Sequence, residues 1–358
     1  MKNRIRLGLY GCNMYRTRDL VEGARLAAGD TVVVTACFDI DRSKATQAAE
    51  KFGGTAFFTE EEFLACREVD VVLISLPAYL HADAFARTAA AGKDIYLEKP
   101  ICVDLVGREK ILTAAETYPV RCYVGLSYRY VAPFQKAAEI LRRPEAGRIL
   151  GAHHHWLAPA GKTPMLPSQM GWRHRFEQSG GQLIHHCCHL LDWFWWIGGA
   201  MTSVSASAYT PPGVEMPHEE RELTAAFAYE KGGLAVFNFA QNSHRNVQFG
   251  TIHAENLGIE YQWGHNTFVR VFRDRPRAPE ETYEWSLSNA LGDGGDSDRN
   301  RLQMKDFIDA YLADRPMPIR IEDGIRVFDY GCAIRESYRA GRRVDVSAAG
   351  RRKFPLNA

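Results

Sequence analysis

The segment "SGGQLIHHCCHLLD", residues 179 to 192, sets His185 and His189 four residues apart, and "AGKDIYLEKP", residues 91 to 100, ends a strand-like run on Glu98, Lys99 and Pro100. Imidazoles exchange protons near neutral pH, and two of them at i and i+4 of a helix share a face. A lysine at the carboxyl end of a parallel strand, where open α/β sheets bind ligands, can hydrogen-bond a substrate hydroxyl and stabilise developing alkoxide charge. The histidines have two rival readings. With Cys188 or His186 they could ligate a metal, but further ligands at fixed offsets are absent, so no metal is expected. They could also be buried core histidines, since "LLDWFWWI" follows directly. Cys187 and Cys188 read as small hydrophobes.

A third candidate lies near the start, where "IRLGLYGCNMYRTRDL", residues 5 to 20, stops an apolar run at Gly8 and Gly11. A dinucleotide loop G-x-G-x-x-G would have glycines where Asn13 and Arg16 stand. "GCNM" is read as that loop with one glycine deleted. Gly11 makes the tight turn, Asn13 tolerates positive φ, and the N–H groups of a helix starting near Met14 face a pyrophosphate, with Asn13 or Arg16 contacting phosphate. Asp39 ends the next strand-like run. A carboxylate there accepts both hydroxyls of an adenosine ribose and repels a 2′-phosphate, which favours NAD over NADP; the plain alternative is a cap for the following helix. In "AHHHW", residues 152 to 156, strand alternation sends His153 and His155 one way and His154 and Trp156 the other.

The elements around these groups fall into two patterns. Up to residue 124, β-rich runs alternate with amphipathic helical stretches, which means a parallel sheet covered by helices on both faces. From residue 147, long alternating runs ("RILGAHHHWLA", "TSVSASAYT", "RELTAAFAYE", "GGLAVFNFAQ", "NVQFGTIHA", "TFVRVFR") indicate an antiparallel sheet of the α+β kind. Residues 286 to 300 read as a surface loop, and helices are expected at about 300–313 and 322–340. The 358 residues, 46% hydrophobic, suit two domains. Forty-four basic against 43 acidic residues, a net charge of +1, favour a small-molecule partner over nucleic acid or an anionic membrane. No signal peptide or apolar span is visible, so the chain reads as cytoplasmic. Its eight cysteines, without a C-x-x-C pair, read as reduced thiols.

Taken in order, these features resemble the Gfo/Idh/MocA oxidoreductase family over nearly the whole chain. The loop from residue 5, Asp39, "SLPAYLHADAFARTAAAGKDIYLEKP" (75–100), "GLSYRYVAPF" (125–134), "GRILGA" (147–152), "GWR" (171–173), the histidine segment and "DFIDAYLADRPMPIRIEDG" all carry the match. The resemblance implies a Rossmann domain with a parallel sheet, residues 1–124. It also implies an α+β domain with a large, open, predominantly antiparallel sheet, residues 125–358, its last helices packing back on the first domain. The sheet is expected to mediate a homodimer or homotetramer. The resemblance further implies NAD held by Gly11, Cys12, Asn13, Met14, Asp39, Ser75, Pro77, His81, Glu98, Lys99, Arg129, Trp172 and Arg173. A carbohydrate or polyol substrate would be bound by Lys99, Tyr128, His153, His155, His185, His186 and His189. Lys99 matches the family's catalytic lysine, His189 its acid/base histidine and Asp192 its later aspartate.

The main departure is His185, which stands where the family commonly has an aspartate. A carboxylate would favour the His189 imidazolium and a second histidine does not, so His189 is expected to have a lower effective pKa than in aspartate-containing relatives. His185→Asp should then move the acidic limb of the pH–rate profile to higher pH; coincident profiles would reject this. Three functions fit the sequence. The leading one is an NAD-dependent dehydrogenase of a secondary hydroxyl, with His185 orienting His189 or touching a neighbouring hydroxyl. The second is a redox-neutral NAD-dependent glycoside hydrolase or lyase. The third is a non-catalytic ligand sensor. Specificity is expected from the "HHHW" tract and from residues 210–221 and 286–300.

Overall fold

The computed structural model describes residues 4–159, 171–210, 220–274, 278–286 and 295–346. The chain divides into two compact units: residues up to Ser127 with Glu177–Gly180 and Ser297–Ile325, and Tyr128–Phe176 with Gly181–Asp296 and the chain from Arg326.

In the first unit, six parallel strands β1 (Ile5–Tyr10), β2 (Val32–Phe38), β3 (Thr55–Phe57), β4 (Val71–Ile74), β5 (Asp94–Leu97) and β6 (Cys122–Val124) form a sheet in the order β3-β2-β1-β4-β5-β6. The order reverses between β1 and β4, and a doubly wound sheet opens its ligand crevice at that point. Gly11 follows β1 there, and Ser75 follows β4. β4 is buried along its whole length, as expected of a strand covered on both faces. Three of the connecting helices, Arg42–Phe52, Glu60–Ala65 and Leu105–Thr117, start on side-chain caps that the sequence supplies: Asp41 accepts from Ser43 N at 3.0 Å, Thr59 from Glu62 N at 3.3 Å and Asp104 from Gly107 N at 2.7 Å. β3 is absent from the sequence reading because three residues carry no readable alternation.

The second unit is built on a sheet of β7 (Ile149–Pro159), β8 (Met201–Tyr209), β9 (Glu222–Tyr229), β10 (Leu234–Ser243), β11 (Val247–Ala254), β12 (Gly258–Trp263), β13 (Thr267–Phe272), β14 (Glu281–Trp285) and β15 (Val344–Asp345). Their order is β14-β13-β12-β11-β7-β10-β9-β8-β15; neighbours are antiparallel except β7 and β10. One face buries Phe227, Phe237, Phe239 and Tyr261, with Phe134, Trp193 and Phe194 of two helices, Ala132–Leu141 and Cys188–Gly198. The other face carries Thr224, Val236, Asn238, Phe249 and Thr251, with the charged Glu222, Glu260 and Arg270 beside them. Gly250 is required for the close packing of β7, β11 and β12: a Cβ there would lie 2.1 Å from His153 O and 2.5 Å from Tyr261 Oη.

Several expectations need correction. The histidine segment is not one helix but two, Gly181–His185 and Cys188–Gly198. The helix anticipated from about 300 starts earlier, spanning Gly295–Leu312, so the end of the 286–300 stretch is helical. Residues 211–219 and 287–294, expected to carry specificity, lie outside the described residues. All eight cysteines are free thiols. Among the described residues, no helix is long and apolar enough to cross a membrane, and no group of three or more His, Cys, Asp or Glu could hold a metal ion.

Candidate active site

The altered loop starts on Gly11, whose φ of 94° is one that side-chain-bearing residues avoid. A Cβ here would also lie 2.6 Å from Ser75 O. Gly11 N donates to Phe38 O at 2.9 Å, and Thr17 Oγ1 donates back to Gly11 O at 2.8 Å, closing the turn. Asn13 takes a different part from the one expected. It is not at positive φ, and its Oδ1 accepts from Tyr15 N at 2.7 Å in an Asx turn. The helix Arg16–Ala28 then begins without a side-chain cap at Tyr15. First-turn N–H groups left to other acceptors suit a dinucleotide pyrophosphate, so the loop fits NAD without the second and third glycines. Arg16 turns away from the expected phosphate role: its guanidinium donates to Glu98 Oε1 at 2.9 Å and Asn300 Oδ1 at 2.7 Å.

Asp39 braces the same loop, because its Oδ2 accepts from Cys12 N and its Oδ1 from Asp41 N, both at 2.9 Å. Asp41, not Asp39, caps the next helix. Each Asp39 oxygen keeps a lone pair for a ribose hydroxyl. Asp39→Ala is expected to weaken NAD about tenfold or more and to narrow its advantage over NADP; titration with both nucleotides checks this, and an unchanged NAD affinity would reject the assignment. The Cys12 thiol is fully buried and Met14 half-buried.

Ser75 is buried, its N–H donating to Tyr10 O at 3.0 Å, and Pro77 opens the turn before the helix His81–Ala90. His81, expected to contact the cofactor, braces the chain. Its ring nitrogens lie 2.7 Å from Pro100 O and 2.9 Å from Leu76 O, and burial lowers its pKa. It therefore ties the chain after β4 to the residue next to Lys99. Glu98 is buried and Lys99 half-buried at the end of β5.

In the second unit, the histidine segment breaks after His185 because two successive amides, His186 N at 2.9 Å and Cys187 N at 3.2 Å, both donate to Gln182 O. Gln182 Oε1 also bonds His186 Nδ1. The break removes the regular i, i+4 spacing assumed for His185 and His189. The ring of His185 stands edge-on to Trp172 (centroids 5.2 Å apart) and to His186 (4.6 Å). His189 instead lies flat on Tyr128, with centroids 4.4 Å apart and planes 4° from parallel. Tyr128 is also stacked against Phe134, with centroids 5.3 Å apart. The Arg173 guanidinium sits over Trp172 at 4.5 Å. Arg129, expected near the cofactor, forks onto Asp192: Nε to Oδ2 is 2.9 Å and Nη2 to Oδ1 is 2.5 Å. This buried ion pair occupies the only carboxylate of the histidine segment.

β7 settles which of its histidines belongs with the others. His154 and Trp156 face the helices: Trp156 lies edge-on to His186 at 5.9 Å, and His154 is fully buried. His153 and His155, expected to bind substrate, face the opposite side of the sheet, where His153 meets His253 and His155 stacks on Phe249 at 4.9 Å. Alternation forces the split; only packing chooses the side. Sequence reasoning missed Gln248, the lone polar residue at a buried position of "NVQFGTIHA". Its Nε2 donates to Tyr128 Oη at 2.8 Å, and its Oε1 lies 3.2 Å from His154 Nε2. Burial lowers the His154 pKa to about 3, so the ring is neutral. A carbonyl oxygen can only accept, so Nε2 carries the proton and Nδ1 accepts from Tyr261 Oη at 2.8 Å. The chain Tyr261, His154, Gln248 thus fixes the phenol on which His189 rests.

Comparison with known proteins gives two matches to one family. Residues 5–126 match the model of the oxidoreductase family with the NAD-binding Rossmann fold, and residues 134–260 match its GFO/IDH/MocA C-terminal domain. The chain belongs to the Gfo/Idh/MocA oxidoreductase family. Its Rossmann domain is accordingly NAD-binding. An uncharacterized oxidoreductase of Streptococcus pneumoniae is 26% identical over 72% of this chain and 62% of its own length. An inositol 2-dehydrogenase of Arthrobacter is 32% identical over 35% of this chain and 38% of its own. The chain thus matches less than two thirds of the length of these relatives. Levoglucosan dehydrogenase, solved with NADH, superposes with a TM-score of 0.81 at 21% identity, covering 96% of this chain and 99% of that one, a likeness of fold.

Proposed function

We propose that this family member is an NAD-dependent dehydrogenase that oxidises a secondary hydroxyl of a sugar, polyol or related carbohydrate. The observation that carries the reading is the buried His189, its plane held by the stack on Tyr128, in a segment whose carboxylate is already neutralised by Arg129. An imidazole is then the group of that segment suited to exchange protons near neutral pH. NAD, when bound, supplies the hydride acceptor. His189 takes the hydroxyl proton, Lys99 hydrogen-bonds the same oxygen and stabilises it as it gains alkoxide character, and His185 and His186 contact neighbouring hydroxyls. Relatives named for inositol and levoglucosan support a polyol or cyclic sugar. The test is a panel of sugars, polyols and glycosides offered with NAD and with NADP, following NADH. No turnover with any of them would overturn the reading.

The adjacent rings of His185 and His186 keep a second reading open, in which a glycoside is oxidised, eliminated and re-reduced, because they offer the additional base such a sequence needs. Release of aglycone without net NADH would favour it. For the quaternary state we propose a homodimer or homotetramer through the outer face of the nine-stranded sheet, which light scattering will check.

A further inference from the structure

Where the dinucleotide loop would carry its later glycines, this chain has side chains, and one of them is anchored deep in the first unit. Arg16 Nη2 meets Glu98 Oε1 at 2.9 Å, and its Nη1 meets Asn300 Oδ1 at 2.7 Å. Glu98 is 5% exposed and Asn300 is 2% exposed, so both acceptors are largely removed from water. A buried carboxylate without its cation is costly, which makes this pair a fixed tie. Three elements meet here: the helix Arg16–Ala28, the end of β5 and the helix Gly295–Leu312.

The sequence makes room for the tie with glycines placed elsewhere. A Cβ on Gly125 would lie 2.7 Å from Glu98 Oε1, and one on Gly23 would lie 2.9 Å from the Asn300 carbonyl carbon. The loop itself is short between its fixed points. Gly11 is bonded to Phe38 and Thr17, Cys12 to Asp39, and Arg16 to Glu98, the residue directly before Lys99.

We propose that Arg16 is a positioning residue for NAD binding: its tie to Glu98 and Asn300 holds residues 11–17 in the shape that a glycine-rich loop would reach through backbone freedom. Arg16 acts through Glu98, not by touching phosphate. The tie also links the loop to the strand end that carries Lys99.

The experiment titrates NADH by its fluorescence into the full chain and into Arg16→Ala, Arg16→Lys, Glu98→Gln and the double variant Arg16→Ala/Glu98→Gln, with melting temperatures of the nucleotide-free proteins alongside. Arg16→Ala is expected to raise the NADH Kd about tenfold, with Arg16→Lys recovering part of the loss. Glu98→Gln should match Arg16→Ala within about threefold, and the double variant should be no weaker than the worse single, as for partners in one interaction. If Arg16→Ala does not fold, Arg16→Lys and Glu98→Gln carry the comparison. A lower melting temperature with unchanged Kd would overturn the proposal, leaving Arg16 a purely stabilising residue. A loss on removing Arg16 with none in Glu98→Gln would also overturn it, because Arg16 would then meet phosphate directly. Failure of the parent chain to bind NADH would instead remove the cofactor assignment on which the proposal rests.

Discussion

Replacing Lys99 or His189 by alanine is expected to lower turnover by about 10²–10⁴-fold each while the chain stays folded. The size follows from the two jobs proposed. Without His189 the hydroxyl proton has no positioned acceptor as the C–H bond breaks, and water, poorly placed, must take it. Without Lys99 the oxygen gains negative charge with one fewer cationic donor. Because the two groups are proposed to act on the same oxygen, the double variant should fall by less than the product of the singles. Lys99 is half-buried at a strand end, and His189 rests on a phenol that Phe134 and Gln248 also hold, so neither truncation should unfold the chain. Circular dichroism and steady-state rates on the best substrate of the panel will check both. Full activity in both variants would refute the assignment.

Asp192→Ala is expected to have the largest effect on stability, about 3–5 kcal/mol. Asp192 is fully buried and held by both arms of the Arg129 fork, so its removal leaves a guanidinium, 9% exposed, without its counter-charge. The Arg129 guanidinium also lies 5.8 Å over the Trp196 ring, a contact too weak to replace the carboxylate. Replacing both partners by apolar residues, Arg129→Met with Asp192→Leu, should cost less than Asp192→Ala alone, because no buried charge is left unpaired. Asp192 lies three residues after His189 on the helix Cys188–Gly198, so the loss should also disturb the His189 stack and lower turnover. Urea titration of the three chains checks the order; an Asp192→Ala variant as stable as the parent would show that the pair contributes nothing.

Much of the fold was legible because its signals are local. Alternation and caps marked β1, β2, β4, β5 and β6 and most strands of the large sheet, while β3, β12, β14 and β15 were passed over. β3 and β15 are too short to show a period, and β12 follows β11 after a three-residue turn. The break at residues 186–187 was not legible, since both halves of "SGGQLIHHCCHLLD" favour helix, and the interruption depends on one carbonyl, that of Gln182, accepting two amides.

By itself, then, the sequence determined the class of both domains, the glycine turn at Gly11, the carboxylate at Asp39, and the residue types at Lys99, His185 and His189. These follow from short-range pattern and from residue chemistry, which neighbours in the chain suffice to express. Only the tertiary structure decided the pairings: Arg16 with Glu98 instead of phosphate, His81 with two carbonyls, Arg129 with Asp192, His154 rather than His153 or His155 beside the helices, and Gln248 behind Tyr128. Most of these partners lie tens to hundreds of residues apart, and each group could hydrogen-bond many others. Which one it meets is fixed by the sheet order and by which face of each strand the helices cover.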